Sequence, residues 1–115
     1  MLKIERQNIT LTRGDTAYLK FIPKVRGTDG TLTDYELQDG DDVVFRVQKS
    51  PNFEKACSID LEENTAILTL VPEDTLAWKV QQYNYEVELI TNLGEHFTFI
   101  ANQKFTIGEE IETHE

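Results

Sequence analysis

The strongest constraint in this sequence is an alternation of period two, repeated in short bursts. Ile9 and Leu11 alternate with Thr10 and Thr12, and Ala17, Leu19 and Phe21 with Tyr18 and Lys20. Val43, Phe45 and Val47 face away from Arg46 and Gln48. Tyr83, Tyr85, Val87 and Leu89 alternate with Asn84, Glu86 and Glu88, Phe97 and Phe99 with Thr98, and Phe105 with Thr106. Successive side chains of a strand point to opposite faces, so each burst buries one face and wets the other. The β-branched and aromatic enrichment suits such half-buried pleated surfaces.

Residues that turn a chain fall between the bursts. Arg13-Gly14-Asp15 separates the first two, Gly27-Thr28-Asp29-Gly30 follows the second, and Asp39-Gly40-Asp41-Asp42 precedes the third. Ser50-Pro51-Asn52 ends the third, and Glu62-Glu63-Asn64 comes before Thr65–Val71. Asn92-Leu93-Gly94-Glu95 reads as a hairpin loop joining Tyr83–Thr91 to His96–Ala101. Short strands at this spacing predict an all-β fold, an immunoglobulin-like β-sandwich of about seven to nine strands. Tyr83, Tyr85, Val87, Phe45, Val47, Leu68 and Leu70 are expected to line its core. One segment departs from the pattern. Pro72 stands at a first helical position with Glu73 and Asp74 behind it, and Leu76 and Val80 then share a face. One or two helical turns near Pro72–Trp78 are expected to bridge two strands.

The chain has 115 residues, which suits a single domain spanning 1–115, with a core over about 8–107 and an acidic end, 108–115, expected to fray. The start, MLKIERQNIT, has no apolar run of the signal-peptide kind, and no stretch reaches membrane-spanning length. The expectation is synthesis in the cytoplasm without membrane contact. Acidic residues number 21 against 11 basic ones, a net charge of −10. A phosphate backbone would be repelled by that field and would meet no basic stripe, so nucleic acid is not an expected partner.

The residues that could carry chemistry are few. Ser50 and Ser58 lie outside any strand–turn–helix setting of the nucleophile-elbow kind. Cys57, the lone cysteine, alternates with Ile59 and Leu61 and reads as a small buried hydrophobe. His96 and His114 are too far apart to resemble a zinc site. Asp39, Asp41 and Asp42 form an acidic turn and are calcium candidates, although the turn lacks the spacing and the bidentate glutamate of an EF-hand loop. Glu86 and Glu88 share a strand face that is expected to be solvated. No metal or other cofactor is expected, and no catalytic residue stands out. Arg13-Gly14-Asp15 is read as a turn, with Gly14 at positive φ and Asp15 bonding nearby backbone, ahead of an integrin motif. Trp78 and Tyr18 could stack on sugar rings, which makes a carbohydrate- or cell-surface-binding module the alternative reading. The acidic corner Glu73-Asp74 leading into Tyr83 and Tyr85 loosely parallels the immunoglobulin tyrosine corner.

Several runs together look like a known family. Ile9-Thr10-Leu11-Thr12-Arg13-Gly14-Asp15-Thr16 followed by an alternating strand resembles the start of the N-terminal domain of upper baseplate proteins from phages and prophages of Gram-positive bacteria. Leu37-Gln38-Asp39-Gly40-Asp41-Asp42-Val43-Val44-Phe45-Arg46-Val47 is similar to that family's turn and following strand. Ala66-Ile67-Leu68-Thr69-Leu70-Val71-Pro72-Glu73-Asp74-Thr75 and then Tyr83-Asn84-Tyr85-Glu86-Val87-Glu88-Leu89 match its pattern best, and Gly94 and Phe105-Thr106-Ile107 complete it. The resemblance covers about Ile9 to Ile107. It implies a small β-sandwich that serves as a building block of the virion tail or baseplate, without enzymatic function. In that family the domain heads a longer chain with coiled-coil or receptor-binding regions, so a connector or accessory role is expected for this chain rather than contact with the host. Its expected partners are other phage structural proteins or itself, as a homo-oligomer. Its expected location is the bacterial cytoplasm before assembly and the virion tail afterwards. Leu2–Thr12 and Phe105–Ile111 are the expected edge strands for such contacts.

Overall fold

The structure, a computed structural model, describes residues 2–109. Its strands are β1 (Leu2–Glu5), β2 (Asn8–Thr12), β3 (Ala17–Phe21), β4 (Lys24–Arg26), β5 (Leu32–Asp34) and β6 (Asp42–Gln48). There follow β7 (Phe53–Ala56), β8 (Ser58–Asp60), β9 (Thr65–Leu70), a short helix α1 (Pro72–Thr75), β10 (Gln82–Ile90) and β11 (His96–Gly108). A six-stranded sheet runs β1-β2-β11-β10-β6-β7 and faces a three-stranded sheet, β3-β9-β8; β4 and β5 pair only with each other. β2 lies parallel to β11, and the other pairs are antiparallel. This is the strand order of an immunoglobulin-like sandwich, with β2, β11, β10, β6 and β7 as A′GFCC′ and β3, β9 and β8 as BED. The fold is all-β, as the alternation predicts.

The described residues hold eleven strands rather than seven to nine. The surplus is β1 and the β4–β5 ribbon, whose side chains are mostly exposed and leave no burial rhythm in the sequence. No helix among the described residues is long and apolar enough to cross a membrane.

The core is the pair of inner faces. Tyr83, Tyr85, Val87, Phe45, Val47, Leu68 and Leu70 are all buried, as expected. Phe45 is their hub, with ring centroids 5.3 Å from Tyr85, 5.6 Å from Phe105 and 6.4 Å from Phe21. Tyr83 Oη donates to the Lys79 carbonyl, four residues upstream, at 2.9 Å. This bond, at the start of β10, gives the tyrosine-corner analogy its substance.

Three local expectations need correction. The helix is four residues long, and Leu76 and Val80 lie beyond it, 57% and 45% exposed, so they form no buried face. What anchors α1 is polar: the Asp74 carboxylate accepts from the Val71 amide at 2.9 Å and from Lys55 at 2.6 Å, and buried Thr75 accepts from the Gly14 amide at 2.9 Å. In β11, register shifts between Tyr85 and Glu88 of its partner β10 mark bulged pairing, and Asn102 has φ +56°. The irregularity puts Ile100 opposite Val87 in the core, while Phe97 is exposed and Phe99 only half-buried. Finally, Phe105–Gly108 is an interior stretch between β2 and β10, because chain ends paired early and late in the sequence meet there. Of the expected edge segments only β1 is an edge; Ile111 lies outside the described residues.

The two sides of the sandwich are built differently. On one side β7 pairs with β6, and after the single residue Cys57 the same run pairs with β9 as β8. One bent run thus serves both sheets, held at its corner by the Cys57 amide donating to the Val43 carbonyl at 2.8 Å. On the other side β2 and β3 belong to different sheets, do not pair with each other among the described residues, and are joined by the Arg13–Thr16 turn. Gly14 in that turn has φ +82°, and Arg13 and Asp15 donate backbone bonds to Gly108 and Thr12. The turn reading of Arg13-Gly14-Asp15 stands.

Candidate functional site

In the immunoglobulin arrangement a first strand, A, lies beside B. Here the N-terminal stretch is taken up elsewhere: β2 pairs with β11, and β1 folds back on β2. Among the described residues, no strand pairs with the side of β3 away from β9. A groove of about 280 Å³ opens beside it. Leu19, Lys20, Phe21 and Ile22 all line this space. Consecutive strand residues point to opposite faces, so Leu19, Lys20 and Phe21 can line one space together only along the strand's edge, and Ile22 follows just past its end.

The opposite wall is the β1–β2 hairpin, which contributes Ile4, Arg6 and Gln7. Ile4 stands opposite Ile9 in the register and so points to the sheet's inner face. The small sheet does not reach over it, and it is 52% exposed. Ile9, Tyr85 and Ile100 provide further apolar lining. Tyr85 Oη donates to the Gln7 carbonyl, tying the hairpin turn down onto β10, and burial pushes its phenol up to about 12. Ile22, 48% exposed, closes the rim next to Phe21.

The charge of the groove opposes that of the chain. Arg6, Lys20 and Lys24 line it, in a chain with a net charge of −10. Lys24 is paired with Asp34 at 2.5 Å. Arg6 and Lys20 have no ion-pair partner among the described residues. The sequence did not single out these residues. Its one signal was Ile22, apolar and out of phase directly after Phe21.

On the outer face of the six-stranded sheet, one guanidinium is shared among three carboxylates. Arg46 lies opposite Glu54 on β7 and Glu86 on β10, with its nitrogens 2.5 Å and 2.8 Å from their carboxylates and 3.4 Å from Glu88. The hydrogen bond to Glu54 is the chief reason its guanidinium holds its proton more tightly than usual. His96 Nδ1 sits 3.2 Å from the other oxygen of Glu88. The face expected to be simply solvated is therefore a knit ion cluster, with Glu88 largely covered.

The remaining sequence candidates fall apart in space. Asp41 is buried, and its two carboxylate oxygens accept from the Gln38 and Asn92 amides, each at 2.8 Å. Tyr35 is held above its ordinary value by burial first and by Asp41 next, so this carboxylate serves to lock loops together. Asp39 and Asp42 are exposed on either side, and no trio of potential metal ligands forms among the described residues. Cys57 is half-buried against the core, and burial pushes its thiol up to about 12, while Leu61 is exposed rather than buried. His114 lies outside the described residues. Trp78 corrects the sugar-stacking reading: it is only 7% exposed, packed edge-on against Phe53 and Tyr83 at 5.2 Å, with Lys49 Nζ 5.1 Å from its ring centroid. Tyr18, 67% exposed on the outer face of β3, is left without it.

No family model, curated protein or solved structure matches this chain.

Proposed function

We propose that the chain is a non-enzymatic structural module of a phage or prophage tail or baseplate, acting through protein–protein contacts. The observation that carries this reading is the groove beside β3: a sheet edge left open and two cations left unpaired among the described residues, with apolar lining, on an acidic protein. Such an edge offers backbone donors and acceptors to another chain, which soluble domains ordinarily cover or blunt. Further support comes from the resemblance to upper baseplate N-terminal domains. Its best-matching runs fall on β9, α1 and β10, a contiguous part of the sandwich. The buried Trp78 takes away the aromatic platform that the sugar-binding reading needed.

The module is then built in the bacterial cytoplasm and carried in the virion tail, where many copies make weak contacts effective through avidity. Mass spectrometry of particles purified from an induced host tests this. The expected result is the chain in stoichiometric amount in tails or in tail assembly intermediates. Its absence from both would overturn the reading.

A further inference from the structure

We propose that the groove receives an extended segment of a partner protein, added as a strand to β3, in which apolar residues alternate with acidic ones. The inference rests on the assembly reading and names the chemistry of the partner at that surface. The position is the one an A strand would hold in the sandwich, and among the described residues β3 is paired on its other side only. Directly opposite residues of neighbouring strands share a face. Added positions opposite Leu19 and Phe21 therefore point inward, towards Ile4, Ile9 and Ile100, and favour apolar side chains.

The position between them stands opposite Lys20, whose side chain is exposed on the outer face. An acid there meets an unpaired ammonium, and Arg6 from the hairpin offers a second cation at the flank. A basic segment would face both, and a wholly apolar one would leave both unpaired. A second copy of this chain is disfavoured through β1, because its own outward residues, Lys3 and Glu5, are already paired to each other at 3.2 Å.

The test is a selection of random peptides displayed against the immobilised full chain, followed by mapping of the best binder through amide chemical shifts. The expected binders alternate apolar and acidic residues and shift Leu19–Ile22, Ile4 and Arg6. Arg6→Glu with Lys20→Glu should weaken binding by about tenfold or more, two opposite-charge pairs having become like-charge pairs. Arg46→Ala, on the far face, should leave it unchanged. N-methylation of the peptide at alternate positions, those facing β3, should abolish binding, while methylation at the intervening positions is tolerated. The proposal is overturned by an absence of binders, by binders without acidic preference, by shifts mapping elsewhere, or by self-association that the double charge reversal dissolves. Each of these outcomes leaves the particle mass spectrometry free to succeed, which separates failure of the partner chemistry from failure of the assembly reading.

Discussion

The two sides of this sandwich solve the same problem in opposite ways. At β7 and β8 one run of chain crosses from sheet to sheet at Cys57 and serves as edge strand to both. At β2 and β3 the crossing is made by a turn at the end of the strands, and the sheets stay separate along their length. The first side leaves two short edges of four and three residues. The second leaves a slot walled by the edge of a five-residue strand and roofed by nothing among the described residues. Where a chain changes sheets within a strand, the sandwich seals itself. Where it changes sheets between strands, a place for another strand remains.

Substitutions can break or sharpen this contrast. The largest effect belongs to the interior that both sides share: Phe45→Ala should cost about 3–5 kcal/mol, since it removes the ring at the centre of the aromatic cluster. Chemical denaturation of the purified variant measures it. Gly14→Val strikes the turn that joins β2 to β3. With φ +82° a β-branched residue is strained there, and a loss of about 1–3 kcal/mol is expected by the same measurement. Cys57→Ser sets a hydroxyl in the half-buried corner of the sealed side and should cost about 1 kcal/mol.

That same variant has a pH signature. The fold holds both the Cys57 thiol, ordinarily near 9.0, and the Tyr85 phenol, ordinarily near 10.0, up at about 12. The raised values mean that the folded state favours the protonated forms. Their contribution is complete below the unfolded values and is lost as pH climbs towards 12. Melting temperature should therefore begin to fall near pH 9.0 in the parent and nearer 10.0 in Cys57→Ser, where only Tyr85 remains of the pair. An unchanged onset would show that the thiol is not desolvated. The smallest effect is expected on the open side. Arg6→Glu with Lys20→Glu should move stability by no more than about 0.5 kcal/mol, because neither cation has an ion-pair partner to lose among the described residues.

The contrast also explains what could be read from the sequence. Val43–Val47 and Tyr83–Leu89 alternate plainly because they are central strands buried on one face, and their pattern alone fixes which side chains meet. The groove depends instead on which strand pairs with which. β2 chose β11, nearly a hundred positions away by number, and β3 was left with one neighbour among the described residues. Nothing local in Ala17–Phe21 encodes that. The β4–β5 ribbon escaped notice for a different reason: its register is set by the Gly27–Gly30 turn and by Lys24 pairing with Asp34, not by burial. The burial of Trp78 is not legible locally because its partners Phe53, Tyr83 and Phe105 come from three separate strands.

Amide hydrogen exchange of the isolated chain, resolved residue by residue, tests the difference between the two sides most directly. The account predicts that the Cys57 amide, bonded to Val43 across the sealed corner, is protected along with the central strands, while within Tyr18–Phe21 protection alternates, slow for amides facing β9 and fast for those facing the groove. Uniform protection along β3 would mean that its edge is already covered, and rapid exchange at Cys57 would mean that the other side is not sealed; either result contradicts the account.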